Sequence, residues 1–141
     1  MSGDRHQARI VAMQALCQWD VQHDESPETL RGFLSTQEVP KSVADHATEL
    51  VKGFWAQQRR IDDGIKAAAT KWDLSRISPV ERNVMRVAIV ELLGDEVPFK
   101  VVLNEAIEIG RAYGGQDSPR FINGVLDAVL KSLQQGRKGG G

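Results

Sequence analysis

A chain of 141 residues with 41% hydrophobic content and a formal net charge of −1 has the length for one domain and enough apolar material for one ordinary core without metal or disulfide staples. It has no room for a second, catalytic domain, and its near-neutral charge excludes indiscriminate polyanion binding, which needs a large surplus of Lys and Arg. Cys17 is the single cysteine; it can form neither an internal disulfide nor a multi-cysteine zinc site, so a reducing, cytoplasmic compartment is expected.

The N-terminal stretch MSGDRHQARIVAMQAL is apolar only briefly, is broken by Gln14 and then by Gln18 and Asp20, and shows no small-residue cleavage site, so it does not read as a signal peptide. No window approaches the roughly 20 apolar residues that span a bilayer, and no membrane insertion is expected. Charge is unevenly spread. Residues 21–50 carry six acids against two bases, whereas residues 51–90 carry eight bases against four acids, so nucleic acid remains available to a localised face.

Helical periodicity recurs throughout, and no alternation of apolar and polar residues is long enough for a strand, which predicts an all-α fold. A first helix over about Asp4 to Gln22 sets Ile10, Met13, Cys17 and Val21 on one stripe. Ser26 and Pro27 form an N-cap with proline at the first helical position, opening a short helix to about Thr36. Pro40 starts a third helix, with Val43, Ala47, Leu50, Val51 and Phe54 on one face, and after a bend near Gln57 the stripe Ile61, Ile65, Ala68, Trp72 continues. Ser78, Pro79, Val80 and Glu81 spell a capping box. The helix it opens is apolar nearly all round up to Gly94, as the central helix of a bundle should be.

Pro98 opens the sixth helix, with Val102, Ala106, Ile109 and Tyr113 in register. Gly114 and Gly115 are expected to end it in left-handed backbone conformations. Ser118 and Pro119 repeat the cap-plus-proline device, and a last helix directs Ile122, Val125, Leu126, Val129, Leu130 and Leu133 to the core. Residues 1–135 thus form one helical domain, and residues 136–141, GRKGGG, are expected to be a flexible tail.

No catalytic constellation emerges. His6, His23 and His46 fall in different segments with no spacing that places two on one helical face, so no metal site and no cofactor are expected. Cys17, on an apolar stripe, reads as a small hydrophobe rather than a nucleophile. Asn104, Glu105 and Asn123 lie within or near apolar stripes and read as a satisfied buried hydrogen-bond network that sets helix register. Arg5 and Arg9, four residues apart, share a helix face with the geometry of a small phosphate-contacting patch, but two arginines are weak evidence and on the residues alone a solvated helix end is the preferred account.

The segment from Tyr113 to Gly124 concentrates unlike chemistries in one interhelical turn. Asp117 and Ser118 offer oxygens, Arg120 points away from the core stripe and Phe121 sits at its flank, near a helix N-terminus whose N–H groups attract anions. A ring and a guanidinium presented together suit single-stranded RNA, whose splayed bases stack and whose phosphates meet donors. Tyr113 and Phe121 closing the edge of the core, with Asp117 as a cap, is the competing account.

The stretch VPFKVVLNEAIEIGRAYGGQDSPRFINGVLDAVLK resembles the C-terminal signature of the NusB family of transcription antitermination factors: a proline, an Asn-Glu-Ala helix, a Gly turn with Asp-Ser, then Phe-x-Asn-Gly-Val-Leu-Asp over Pro98–Asp127. SPVERNVMRVAIVELL resembles the family's central helix and ARIVAMQALCQWD its first. The resemblance implies a bundle of about seven helices in two small subbundles and no enzymatic activity. It implies binding of boxA-type RNA together with the small-subunit ribosomal protein that acts as NusE, within the RNA polymerase antitermination complex, in support of ribosomal RNA transcription. Carried over by position, RNA contacts fall on Arg5, Arg9, Gln14, Tyr113, Arg120 and Phe121, and the partner interface on Asp117 and Phe121. The chain departs from the family where a run of arginines is common, offering His6 and Gln7 between Arg5 and Ala8, and it has Cys17 where a tyrosine is frequent. Two alternatives keep the fold: a protein adaptor or homodimer that binds no RNA, and the RNA-binding domain of an RNA cytosine methyltransferase.

Overall fold

The computed structural model describes residues 2–70 and 77–140. Seven helices follow one another: α1 (Ser2–Gln22), α2 (Pro27–Thr36), α3 (Lys41–Ala56), α4 (Gln58–Ala68), α5 (Pro79–Gly94), α6 (Phe99–Tyr113) and α7 (Ser118–Gly140). No strand occurs among the described residues. Local chemistry explains most boundaries. Ser26 Oγ accepts from Thr29 N at 3.3 Å with Pro27 at the first helical position, and Asp24 accepts from Ser26 N, so the start of α2 is capped by side-chain oxygens. Gln57, at φ −133° and ψ 30°, separates α3 from α4, the bend expected near that residue. At α5, Ser78 Oγ accepts from Glu81 N and Glu81 Oε1 accepts from Ser78 N, closing the capping box.

Helix α5 is the hub. It packs against α1 and α3 on one side and against α4, α6 and α7 on the other, while α2 rests on α1. Two subbundles therefore share one central helix. Val84, Met85, Val87, Ala88, Ile89 and Leu92 are all buried, and burial of each large apolar side chain stabilises the fold by about 1.5–3 kcal/mol. Met13, Leu16, Phe54, Ile61, Ile122 and Leu126 complete the centre of the core.

Because both sides of α5 are covered, its polar residues are covered too. Asn83, Arg86 and Glu91 are buried, and each is matched. Arg86 donates to Asp62 Oδ1 and Oδ2, both at 2.9 Å, to Asp20 at 2.7 Å and to Asn83 Oδ1 at 3.0 Å, with its guanidinium 4.6 Å from the Phe54 ring centroid. Burial alone would lower its pKa. The Asp62 and Asp20 carboxylates outweigh that effect and hold it above the ordinary arginine value.

Two expectations change on packing. The buried stripe of α1 is Ala8, Val11, Ala12, Met13, Ala15 and Leu16, whereas Val21 is 82% exposed; α3 and α5 cover the helix from other directions, reaching Trp19 and Asp20 in its last turn. In α4 Ala69 rather than Ala68 enters the core; Trp72 lies outside the described residues. Helix α5 ends at Asp95, in the left-handed region at φ 57°. Helix α7 runs on to Gly140.

Candidate nucleic-acid interface

The α6–α7 turn is built on close approach rather than on left-handed glycines. Gly114 ends α6 in extended backbone, at φ −97° and ψ −159°, and no described glycine has a positive φ. A Cβ at Gly114 would sit 2.4 Å from Ser118 Oγ and 2.8 Å from the Gly110 carbonyl oxygen. One at Gly110 would sit 2.4 Å from Ile122 Cδ1. Gly114 is thus needed where α6 and α7 touch, Gly110 lets Ile122 pack close, and the expectation of left-handed angles gives way to a steric reason.

Ser118 also differs from its expected role. It already lies within α7 and is 1% exposed. Its Oγ accepts from Gly115 N at 2.9 Å and donates to Glu81 Oε2 at 2.8 Å. Glu81 spends its other oxygen on the Ser78 amide. A single carboxylate therefore joins the cap of α5 to the turn, so that the turn cannot move independently of the central helix. The capping-box pattern identifies the first half of this relay; nothing in the local sequence points to the second.

What the turn offers to solvent is specific. Tyr113 is 46% exposed, and Gln116, Asp117 and Arg120 are exposed, all beside the positive end of α7. Phe121, expected to present a ring for base stacking, is only 7% exposed. It lies on the core side of α7 with Ile122 and Val125, which leaves little of its ring for a base in this conformation. Asp117 meets α7 through its carbonyl, which accepts from Phe121 N at 3.2 Å.

The N-terminal face divides in two. Arg5 is exposed and Gln14 half-buried, but Arg9 is 4% exposed. Its Nε donates to Glu91 Oε1 at 2.6 Å and its Nη2 to Glu91 Oε2 at 3.0 Å, while Nη1 donates to Glu105 Oε1. Arg5 and Arg9 do share a side of α1, as their spacing requires; α5 and α6 close over Arg9 and not over Arg5. Of the two arginines expected on one exposed face, only Arg5 presents its side chain to solvent. Burial lowers the Arg9 pKa and the two carboxylates raise it by more, so it stays charged above its ordinary value. The expected network of Asn104, Glu105 and Asn123 is corrected likewise: Glu105 belongs to the Arg9 network, whereas Asn104 and Asn123 are exposed.

These contacts also give the layout. Arg9 of α1 meets Glu105 of α6, whereas Cys17 Sγ lies 3.6 Å from the Pro79 carbonyl at the start of α5, the end to which Ser118 is tied. Arg5 therefore marks one end of a seam and the 113–120 turn the other; Gln14, nine residues after Arg5 at about 3.6 residues per turn, lies on the opposite side of α1. From Arg5 to Gln14 along α1 is about 14 Å at 1.5 Å per residue. Burial pushes the Cys17 thiol pKa up, which lowers its reactivity.

The comparisons with known proteins match this architecture. The sequence profile of the NusB family covers residues 6–131. The transcription antitermination protein NusB of Anaeromyxobacter dehalogenans is 44% identical over 140 residues, 99% of each chain, and that of Desulforapulum autotrophicum is 41% identical, over 96% of this chain and 99% of the relative. Among solved structures, T. maritima NusB superposes with a TM-score of 0.77 at 36% identity over 90% of both chains. A chain from the crystal structure of antitermination factors NusB and NusE in complex with dsRNA does so with a TM-score of 0.82 at 25% identity, over 94% of this chain and 99% of that one. With a family profile spanning nearly the whole helical bundle and full-length relatives above 40% identity, the chain belongs to the NusB family.

Proposed function

We propose that this protein is a non-enzymatic transcription antitermination factor that binds boxA-type single-stranded RNA jointly with NusE, the small-subunit ribosomal protein, and so supports ribosomal RNA transcription within the RNA polymerase antitermination complex. The observation that carries the reading is the rigidly held α6–α7 turn, in which Tyr113, Asp117 and Arg120 face solvent on a backbone anchored through Ser118 to Glu81. In this arrangement Tyr113 stacks on a base, Arg120 meets a phosphate beside the helix N-terminus, and Asp117 sits where RNA and NusE meet. Arg5 extends the contact along α1, while Gln14, on the opposite side of that helix, does not share this face. Phe121 seats the turn on the core. Family membership and the NusE and dsRNA partners named for the solved relative support the same reading. Action in the cytoplasm follows from the proposed RNA polymerase and ribosomal-protein partners, and no described helix is long and apolar enough to cross a membrane.

The test is fluorescence anisotropy with a boxA-type single-stranded RNA and a duplex of the same sequence, each with and without NusE. Tyr113→Ala should weaken the single-strand complex by about 1–3 kcal/mol, the usual worth of one stacked base. Unchanged affinity for Tyr113→Ala and Arg120→Ala together would refute the assignment of the turn. Absence of any RNA-dependent signal with NusE present would refute the function and favour the RNA-free adaptor or homodimer.

A further inference from the structure

Counting histidines along the chain yields no metal site, yet the fold brings one imidazole to two carboxylates. His6 of α1 and Glu105 and Glu108 of α6 place their candidate ligand atoms within 4.8 Å of one another. Glu105 and Glu108 are three residues apart and so share a side of α6. His6 reaches them across the α1–α6 seam, its Nδ1 lying 2.7 Å from Glu105 Oε2.

Two further features bear on what this cluster binds. First, Glu105 is held from behind. Its Oε1 accepts from Arg9, whose side chain is 5% exposed and is itself gripped by both oxygens of Glu91. A carboxylate fixed through one oxygen, with the other directed at an imidazole, is the outer-shell arrangement that orients a metal ligand. Second, charge is out of balance. Glu91 and Glu105 share the single guanidinium of Arg9, and Glu108 adds a further carboxylate beside Glu105 and His6, which favours a cation in the cluster.

We propose that His6 Nδ1 and one oxygen each from Glu105 and Glu108 bind a divalent transition-metal ion of the Zn²⁺ class, with water completing the coordination. One nitrogen and two carboxylate oxygens fit Zn²⁺, whereas Mg²⁺ and Ca²⁺ prefer oxygen-only ligands. Bonds of about 2.0–2.2 Å require His6 Nδ1 and Glu105 Oε2 to separate slightly as the ion enters and the proton between them leaves for solvent. The ion would cross-link α1 to α6 outside the Arg9 network.

The experiment is calorimetric titration of untagged, full-length protein with ZnCl₂ near neutral pH, with thermal melts in parallel. One saturable equivalent and an upward shift in Tm are expected, because an ion that binds only the folded state stabilises it. His6→Ala and Glu108→Gln should each weaken binding by roughly tenfold or more, and Cys17→Ser and His23→Ala should leave it unchanged. Glu108 is exposed, so its amide variant tests the site without disturbing the core. Absence of saturable binding, binding by His6→Ala and Glu108→Gln as tight as by the parent, or equal affinity for Mg²⁺ would each overturn the proposal.

Discussion

Arg9→Ala separates a surface arginine from a structural one. If Arg9 touched phosphate, the substitution would weaken RNA binding and leave stability alone. In the structure the Arg9 and Glu91 side chains are each 5% exposed and Glu105 is 17% exposed, so removal of the guanidinium strands one fully buried carboxylate and one largely buried carboxylate. Breaking a buried pair from one side costs about 3–5 kcal/mol, a large part of the 5–15 kcal/mol total stability typical of a domain. For a chain of this size that corresponds to a Tm lower by about 10–20 °C. Urea unfolding should show a lower midpoint with an unchanged slope. Arg9→Met combined with Glu91→Met should recover much of the loss, because replacing a buried pair with packed apolar groups is often neutral or stabilising. RNA affinity, measured well below both melting transitions, should change little beyond what a loosened α1 imposes. An unchanged urea midpoint together with a marked loss of RNA affinity would refute the reasoning and return Arg9 to the interface.

Gly114→Ala must push a methyl group against Ser118 Oγ and the Gly110 carbonyl; overpacking of this kind costs about 1–3 kcal/mol, and hydrogen exchange at the Gly115 amide should quicken as the turn shifts. Ser118→Ala removes the acceptor for Gly115 N and the donor to Glu81, and should lower NusE-dependent RNA affinity while the far-ultraviolet dichroism stays helical; full affinity would show that the relay does not position the turn. With Arg9 buried, Arg5 and Arg120 are the two exposed arginines of the proposed face, so the protein alone should give a slope of log K against log salt of about −1.4 on single-stranded RNA. The NusE complex should be steeper, and a slope near −4 for the protein alone would contradict this. Because burial raises the Cys17 pKa, less thiolate is present at pH 8 than for a free cysteine, and alkylation should be slower than for a model thiol and accelerate as the pH rises.

The order of elements was legible because each start signal is local. Ser26-Pro27, Pro40, Ser78-Pro79-Val80-Glu81 and Pro98 each set φ or satisfy end amides within a few residues, and helical periodicity supplied α5 as the hub. The same holds for the exposed half of the turn: Tyr113, Asp117 and Arg120 are found on the surface, where the motif places them. What tertiary structure alone decided is the fate of side chains that two elements compete to cover. Spacing puts Arg5 and Arg9 on one side of α1, but only the approach of α5 and α6 takes Arg9 from solvent and hands it to Glu91 and Glu105. Periodicity leaves Phe121 at the edge of a stripe, and the packing of α7 settles it in the core. Glu81 reads as a cap and becomes a cap and a tether, because Ser118, 37 residues away, arrives at its second oxygen. Helix starts are determined within one turn of chain, so sequence suffices for them; burial and charge pairing depend on which surfaces meet, and those contacts join residues up to 99 positions apart.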